Sequence, residues 1–200
     1  MARPREFDET TVLEAAMNCF WAQGYEATSV RDLASEMGIT GASLYNAFGD
    51  KRSLYRRALQ HYFEQSIHDR ISRFDQLPSF AAIRAFFDEI IERSVMDKVR
   101  RGCFLVNSAL EMAPSDPEFR KLVASEMTFL EAFFRRCVVA GQMDRTIAAL
   151  QPADDLARLL LSLLFGVRVL ARTQPQREVL EGAVNGALGL LKIGLTKTDV

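Results

Sequence analysis

Residues Thr28 to Lys51 constrain the fold of this chain more than any other stretch. Val30, Leu33, Ala34 and Met37 recur at i, i+3, i+4 and i+7, the spacing of one apolar helical face. Thr28 or Ser29 can cap the start of that helix, because a hydroxyl accepts from an otherwise orphaned backbone N–H. Gly38 follows the last apolar residue, where a helix exit favours φ > 0. Ile39 can pack inward across the turn, and Thr40 can cap a second short helix running to about Phe48. Helices at about 29–37 and 40–48, joined by a tight glycine-containing turn, make a helix-turn-helix.

The second helix carries little charge. Its outward residues are Thr40, Gly41, Ser43, Tyr45 and Asn46, while Leu44 and Phe48 can anchor it inward. Small hydroxyl and amide groups on such a helix can approach base edges or phosphates in a major groove. Asp50 can cap a following helix, and Lys51 at its start can meet a phosphate backbone.

The motif sits in a longer pattern. It runs Phe7-Asp8, Ala15-Ala16, Phe20-Trp21-Ala-Gln-Gly24-Tyr25-Glu26-Ala-Thr28-Ser29, Asp32-Leu33-Ala34, Met37-Gly38, Ser43-Leu44-Tyr45, Phe48 and Lys51, continuing to about Leu59. This pattern resembles the TetR family of transcriptional regulators. The resemblance implies an all-α fold of about nine helices, with an N-terminal DNA-binding domain over 1–48 and an effector-binding and dimerisation domain over 49–200. It implies double-stranded operator DNA, a second copy of the chain and a small-molecule effector as partners. The expected DNA contacts are Arg5, Thr28, Ser29, Arg31, Thr40, Gly41, Ser43, Tyr45, Asn46 and Lys51.

Charge does not announce DNA binding. The chain carries 25 Lys and Arg against 26 Asp and Glu, a net charge of −1. Residues 1–57 hold seven Arg or Lys and eight Asp or Glu, so binding has to come from local placement: Arg3 and Arg5 in the arm, Arg31, and Lys51 with Arg52. Arg3 and Arg5 can reach phosphates or a neighbouring minor groove, or can simply be solvated at a chain end.

Hydrophobic content of 48% and charged content of 26% fit a water-soluble globular chain. No apolar run approaches the ~18 residues of a membrane span, and the first residues lack the apolar core of a signal peptide. Three cysteines, Cys19, Cys103 and Cys137, are sparse and odd in number. They point to reduced thiols in a cytoplasm and not to a disulfide framework.

Beyond the motif the pattern is helical throughout. Val12, Ala15, Ala16, Cys19 and Phe20 stripe a first helix that starts at Asp8 and closes at Gly24, with Trp21 and Tyr25 as packing residues beneath the motif. A helix from Asp50 to about Phe74 carries Leu59, Phe63, Ile67 and Ile71 at four-residue spacing. Pro78 opens the next, to about 96, with Ile83, Phe86, Phe87, Ile90 and Ile91. Helices follow at about 103–112, 116–141, 152–171 and 176–193. In the last, Gly182, Gly186 and Gly189 each cost about 1 kcal/mol relative to Ala, and close approach of another helix would explain them. The family resemblance implies a homodimer built on the final two helices, with Leu159, Leu163, Val167, Ala183, Gly186 and Leu190 at the interface.

Enzymatic signatures are missing: no Walker-type phosphate loop, no GxSxG and no zinc-spaced Cys/His cluster. His61 and His68 are seven apart on one helix, with no further ligands to complete a metal site. No catalytic role, metal or cofactor is expected. For sensing, Phe86, Phe104, Met127, Leu130 and Phe134 with Asn107, Glu111 and Arg168 could line an apolar pocket with a few polar groups. The alternative, favoured for any single phenylalanine, is that these side chains simply form the core. Gly102 to Phe119 resembles a subset of TetR-family regulatory domains, some of which use a cysteine to detect electrophiles or oxidants. Cys103, beside Arg100-Arg101-Gly102 and a helix start, is either such a thiol or a small buried hydrophobe. The expected function is a homodimeric repressor released from a palindromic operator by a small-molecule or thiol-reactive effector. The alternative is a helical ligand-binding or scaffold protein that no longer binds DNA.

Overall fold

The computed structural model describes residues 8–192, and among these every regular element is helical. The expected contacts Arg3 and Arg5 lie outside the described residues. In chain order the elements are α1 (Glu9–Gln23), α2 (Val30–Glu36), α3 (Gly41–Phe48), α4 (Lys51–Tyr62), a π-helical stretch (Phe63–His68), α5 (Asp69–Phe74), α6 (Ser79–Met96), α7 (Phe104–Glu111), α8 (Pro117–Met143), α9 (Ala153–Thr173) and α10 (Arg177–Leu190). Counting α4, the π-helical stretch and α5 as one continuous rod, the described residues form nine helices.

Side-chain caps set the helix starts of the first half. Asp8 accepts from the Thr10 and Thr11 amides. Ser29 and Asp32 exchange bonds in a capping box, so Ser29 and not Thr28 caps α2. Thr40 accepts from Ser43 N–H at 3.1 Å, and Asp50 from Ser53 N–H at 2.6 Å. Asp116 caps α8 with Pro117 at its first position, where the missing N–H is no loss.

The rod from Lys51 to Phe74 departs from the single uniform helix expected. Residues four apart overshoot one α-helical turn by about 40°, so a four-residue repeat drifts off the core face. The wider turns of Phe63–His68 take up that drift, and Leu59, Phe63, Ile67 and Ile71 are all buried.

The core is one connected apolar cluster running from α1 to α10. Tyr55 on α4 lies at the junction of the head (α1–α3) with the body. Its ring meets Phe20 at 4.9 Å, Tyr25 at 5.1 Å, Phe104 at 5.2 Å and Phe119 at 5.5 Å, and its hydroxyl lies 2.8 Å from Ser108 Oγ. In the body, Phe86, Phe87, Phe133 and Phe134 from α6 and α8 pack ring against ring. No helix among the described residues is long and apolar enough to cross a membrane.

Candidate DNA-reading head and effector cavity

In α3, Leu44 and Phe48 are buried while Thr40, Tyr45 and Asn46 face solvent, Tyr45 with half its surface free. An exposed aromatic beside an amide, on a helix with no carboxylate, leaves a face able to approach a polyanion. Thr40 and Ser43 hydroxyls lie 2.9 Å apart, each retaining hydrogen-bonding capacity beyond the cap. Gly41 brings the backbone close without a side chain. Arg31 is exposed on α2, and Ser29 is exposed at its cap. The Lys51 ammonium sits 4.3 Å from the Tyr25 ring centroid, a cation–π contact that holds it at the edge of the motif.

Two residues read from sequence as DNA-facing are engaged elsewhere. Thr28 is fully buried and its hydroxyl donates to the Gly24 carbonyl at 2.5 Å. Arg52 points away from the motif. It bonds Asp116 at 2.7 and 3.1 Å and Glu118 at 2.5 Å, tying the head end of α4 to the start of α8. Arg52 holds the Asp116 carboxyl down to about 2, well below the ordinary carboxylate range.

Head and body are joined by a further clip. The Glu111 carboxylate, at the end of α7, accepts from Tyr25 N–H at 3.0 Å and Glu26 N–H at 2.9 Å, just beyond α1. Gly24 makes this possible: its φ is +87°, and a Cβ there would stand 3.2 Å from both Glu111 oxygens. Arg101 adds a second link. Its guanidinium lies 4.3 Å from the Trp21 ring centroid and bonds Asn18 Oδ1 at 3.0 Å, while Asp97 steadies its backbone N–H at 2.7 Å.

Directly behind that link lies a cavity of about 280 Å³. It is walled by Trp21 from the head, Tyr62, Ile67 and Arg70 from the rod, Phe86 and Ile90 from α6, Cys103 and Leu105 at the start of α7, Leu130 from α8, and Leu164, Phe165 and Arg168 from α9. Of the residues expected at an effector site, Phe86, Cys103, Leu130 and Arg168 meet here. The others do not line it. Phe104 and Phe134 are consumed in the ring clusters of the core, and Met127 packs against its edge. Asn107 donates to the Arg101 carbonyl and accepts from Arg172, and Glu111 reaches for the head.

Arg168 is the most deeply placed of the polar groups on α9. Its Nη1 donates to Ser94 Oγ at 3.0 Å, Nη2 donates to the Gly102 carbonyl, and Nε has no acceptor among the described residues. Gly102 has φ +74°, a conformation strained for residues with a side chain, and a Cβ there would lie 2.8 Å from the Arg172 side chain. Tyr62 Oη lies 3.5 Å from Cys103 Sγ, and both face the Arg168 guanidinium. Burial pushes the Tyr62 phenol far up and keeps it neutral. Arg70 is buried too, paired to Glu89 at 3.1 Å. Sequence reasoning missed Trp21, Tyr62 and Arg70 as cavity residues. Arg70 carried a readable signal, because it falls three residues after Ile67 and seven after Phe63, on the buried face of the rod.

Elsewhere on α9 and α10, Leu159 and Leu190 are exposed, Leu163 and Ala183 half-buried, and Val167 is buried in the protomer's own core. A Cβ at Gly166, Gly182, Gly186 or Gly189 would meet nothing within 4 Å. Nothing among the described residues therefore demands those glycines.

The chain's similarities to known proteins agree with this architecture. Residues 12–58 match the model of bacterial regulatory proteins of the tetR family, and residues 79–187 match the tetracyclin repressor-like C-terminal domain. An uncharacterized HTH-type transcriptional regulator of Bacillus subtilis, YezE, is 31% identical over 96% of this chain and all of its own length. The HTH-type transcriptional repressor ComR of Escherichia coli is 26% identical over 85% of this chain and 82% of its own. Among solved structures, the TetR family transcriptional regulator CifR, as a cysteine mutant complexed with 26bp double-strand operator DNA, superposes with a TM-score of 0.83. It is 35% identical, covering 94% of this chain and 98% of that one. With a capped reading helix at one end and a family-matched regulatory domain at the other, the chain belongs to the TetR family and is a helix-turn-helix, DNA-binding transcriptional regulator.

Proposed function

We propose that this regulator is a cytoplasmic homodimeric repressor without enzymatic activity, released from a pseudo-palindromic operator when the cavity behind Trp21 is occupied or Cys103 is modified. One observation carries this reading: the cavity is walled on one side by α1 of the DNA-binding head and on the other by α6 to α9. A ligand there touches both bodies at once. The short helix α7 strengthens the link, with Cys103 at its N-terminal cap and Glu111 on the head amides at its far end, about 12 Å away. Occupancy that favours another pose of the Arg101–α7 segment changes the pose of α1 and hence of the reading helix. Only differential affinity for the two poses can shift the balance.

Operator binding in this reading uses Ser29, Arg31, Thr40, Gly41, Ser43, Tyr45, Asn46 and Lys51. The exposed, glycine-lined face of α9 and α10, with Leu159, Leu163, Ala183, Gly186 and Leu190, packs against a second copy. Two heads then meet successive major grooves about 34–36 Å apart. The operator complex of CifR and the repressor relatives support this arrangement.

A gel shift of the purified protein on the DNA upstream of its own gene tests the proposal. Retardation at low salt that weakens as salt rises is expected, as is its loss on replacing Tyr45 and Lys51 by Ala. No retardation at low salt refutes operator binding. For the thiol route, an unchanged response to electrophiles in Cys103→Ser removes Cys103 from the mechanism.

A further inference from the structure

The cavity wall is unbalanced in charge. Four guanidiniums line it, Arg70, Arg93, Arg101 and Arg168, against the single carboxylate of Asp97. Three of the four touch a carboxylate, though not one each. Arg70 and Arg93 share Glu89, at 3.1 and 2.8 Å, and Arg101 pairs with Asp97 at 3.3 Å. Arg168 is different. It is more than nine-tenths buried, and among the described residues no carboxylate pairs with it. Its guanidinium bonds the Ser94 hydroxyl and the Gly102 carbonyl, the Tyr62 hydroxyl and the Cys103 sulfur face it, and its Nε–H meets no acceptor among the described residues. A buried cation left in this state is strongly disfavoured unless something supplies the missing charge.

A second donor at the same cavity is also unanswered. Trp21 Nε1 is buried and has no acceptor among the described residues, although its ring is packed against Tyr62 at 5.1 Å and beneath Arg101. Buried N–H groups without acceptors are rare in folded proteins and call for an explanation. The neutral Tyr62 hydroxyl and Ser66 add polar capacity on the rod side. Phe86, Ile90, Leu130, Leu164 and Phe165 make the remainder of the wall apolar.

From these observations we infer that the cavity binds a small organic monoanion, a carboxylate on an aromatic or branched aliphatic body, whose oxygens accept from Arg168 Nε and Trp21 Nε1. Arg168 is the lining guanidinium that no carboxylate touches among the described residues, and a single carboxylate answers it. A planar carboxylate suits a guanidinium edge, and the apolar wall suits a hydrocarbon body. The inference rests on the effector-cavity reading above and names the ligand class for it. Because Trp21 belongs to α1, the carboxylate bonds the head directly.

The test uses the full-length protein with benzoate and para-isopropylbenzoate as probes, each compared with its primary amide. Trp21 is the chain's only tryptophan, so its emission reports occupancy, and calorimetry measures affinity. The carboxylates should bind at least about tenfold more tightly than the amides. Arg168→Gln should abolish that preference, and Trp21→Phe should weaken carboxylate binding severalfold by calorimetry. Equal binding of acid and amide, no binding of either carboxylate at millimolar concentration, or a preference that survives Arg168→Gln overturns the inference. If Arg168→Gln does not fold, the acid–amide comparison on the wild type decides alone. A gel shift on the same preparation separates the two levels. Retardation of operator DNA without carboxylate binding sinks only the ligand class, whereas carboxylate binding without retardation sinks the regulatory reading.

Discussion

Replacing Glu111 with Ala removes the clip between α7 and the head. The carboxylate accepts two backbone N–H bonds, at 3.0 and 2.9 Å, and hydrogen bonds to an ionised group contribute about 1.5–3 kcal/mol each in favourable settings. The Glu26 amide is at an exposed residue and regains water when the carboxylate is gone, so its share is small. The Tyr25 amide is partly buried, lies over the aromatic junction with Tyr55 and Phe20, and is rehydrated poorly. The expected loss is therefore about 2–3 kcal/mol and not the sum of two full bonds. Glu111→Gln keeps one acceptor oxygen and should fall between the variant and the wild type. Urea denaturation followed through Trp21 emission, at fixed protein concentration because dimerisation contributes to stability, measures the difference. The head should also lose its coupling to the cavity, so operator binding in Glu111→Ala should respond less to any effector. A stability within about 0.5 kcal/mol of wild type, well below the worth of one such bond, would refute the clip.

Tyr55→Phe keeps every ring contact but deletes the hydroxyl beside Ser108. Ser108 still donates to the Phe104 carbonyl at 2.8 Å, so thermal unfolding should show a loss of only about 0.5–1.5 kcal/mol. Asp116 titrates at about 2 because Arg52 and the α8 amides hold its charged form. Its stabilisation is present above the ordinary carboxylate pKa and is lost as pH falls from about 4 towards 2. Asp116→Asn should flatten that part of the acid-unfolding curve, and an unchanged curve would show that the pair does not hold head to body. Gly186→Leu meets open space in the protomer, so sedimentation should show folded monomers in place of dimers, and an intact dimer would move the interface elsewhere.

Much of the head was legible in the sequence because its caps are local. Ser29, Thr40 and Asp50 each act within three residues, and the inward residues Leu33, Leu44 and Phe48 follow helical spacing. The breaks at Pro78 and Pro117 likewise place α6 and α8. The site was legible only in part, because it is assembled from distant segments. Arg168 is the one charge between Leu159 and Ala171, yet nothing local ties it to Trp21, nearly 150 residues earlier. Glu111 and Cys103 looked like members of one pocket, but the helix between them is two turns long and sends them to opposite ends. Thr28 and Arg52 have the right residue types for DNA contacts. One is drawn into the Gly24 turn and the other to Asp116, and neither partner is apparent from local spacing.

The central claim is that Thr28–Lys51 carries one of two paired reading heads. Footprinting the purified protein on DNA selected from its own genome tests it most directly. The account predicts two protected half-sites, related by a pseudo-two-fold and centred about one helical turn apart, lost together on Tyr45→Ala with Lys51→Ala. A single unpaired half-site, or protection that survives both substitutions, would contradict it.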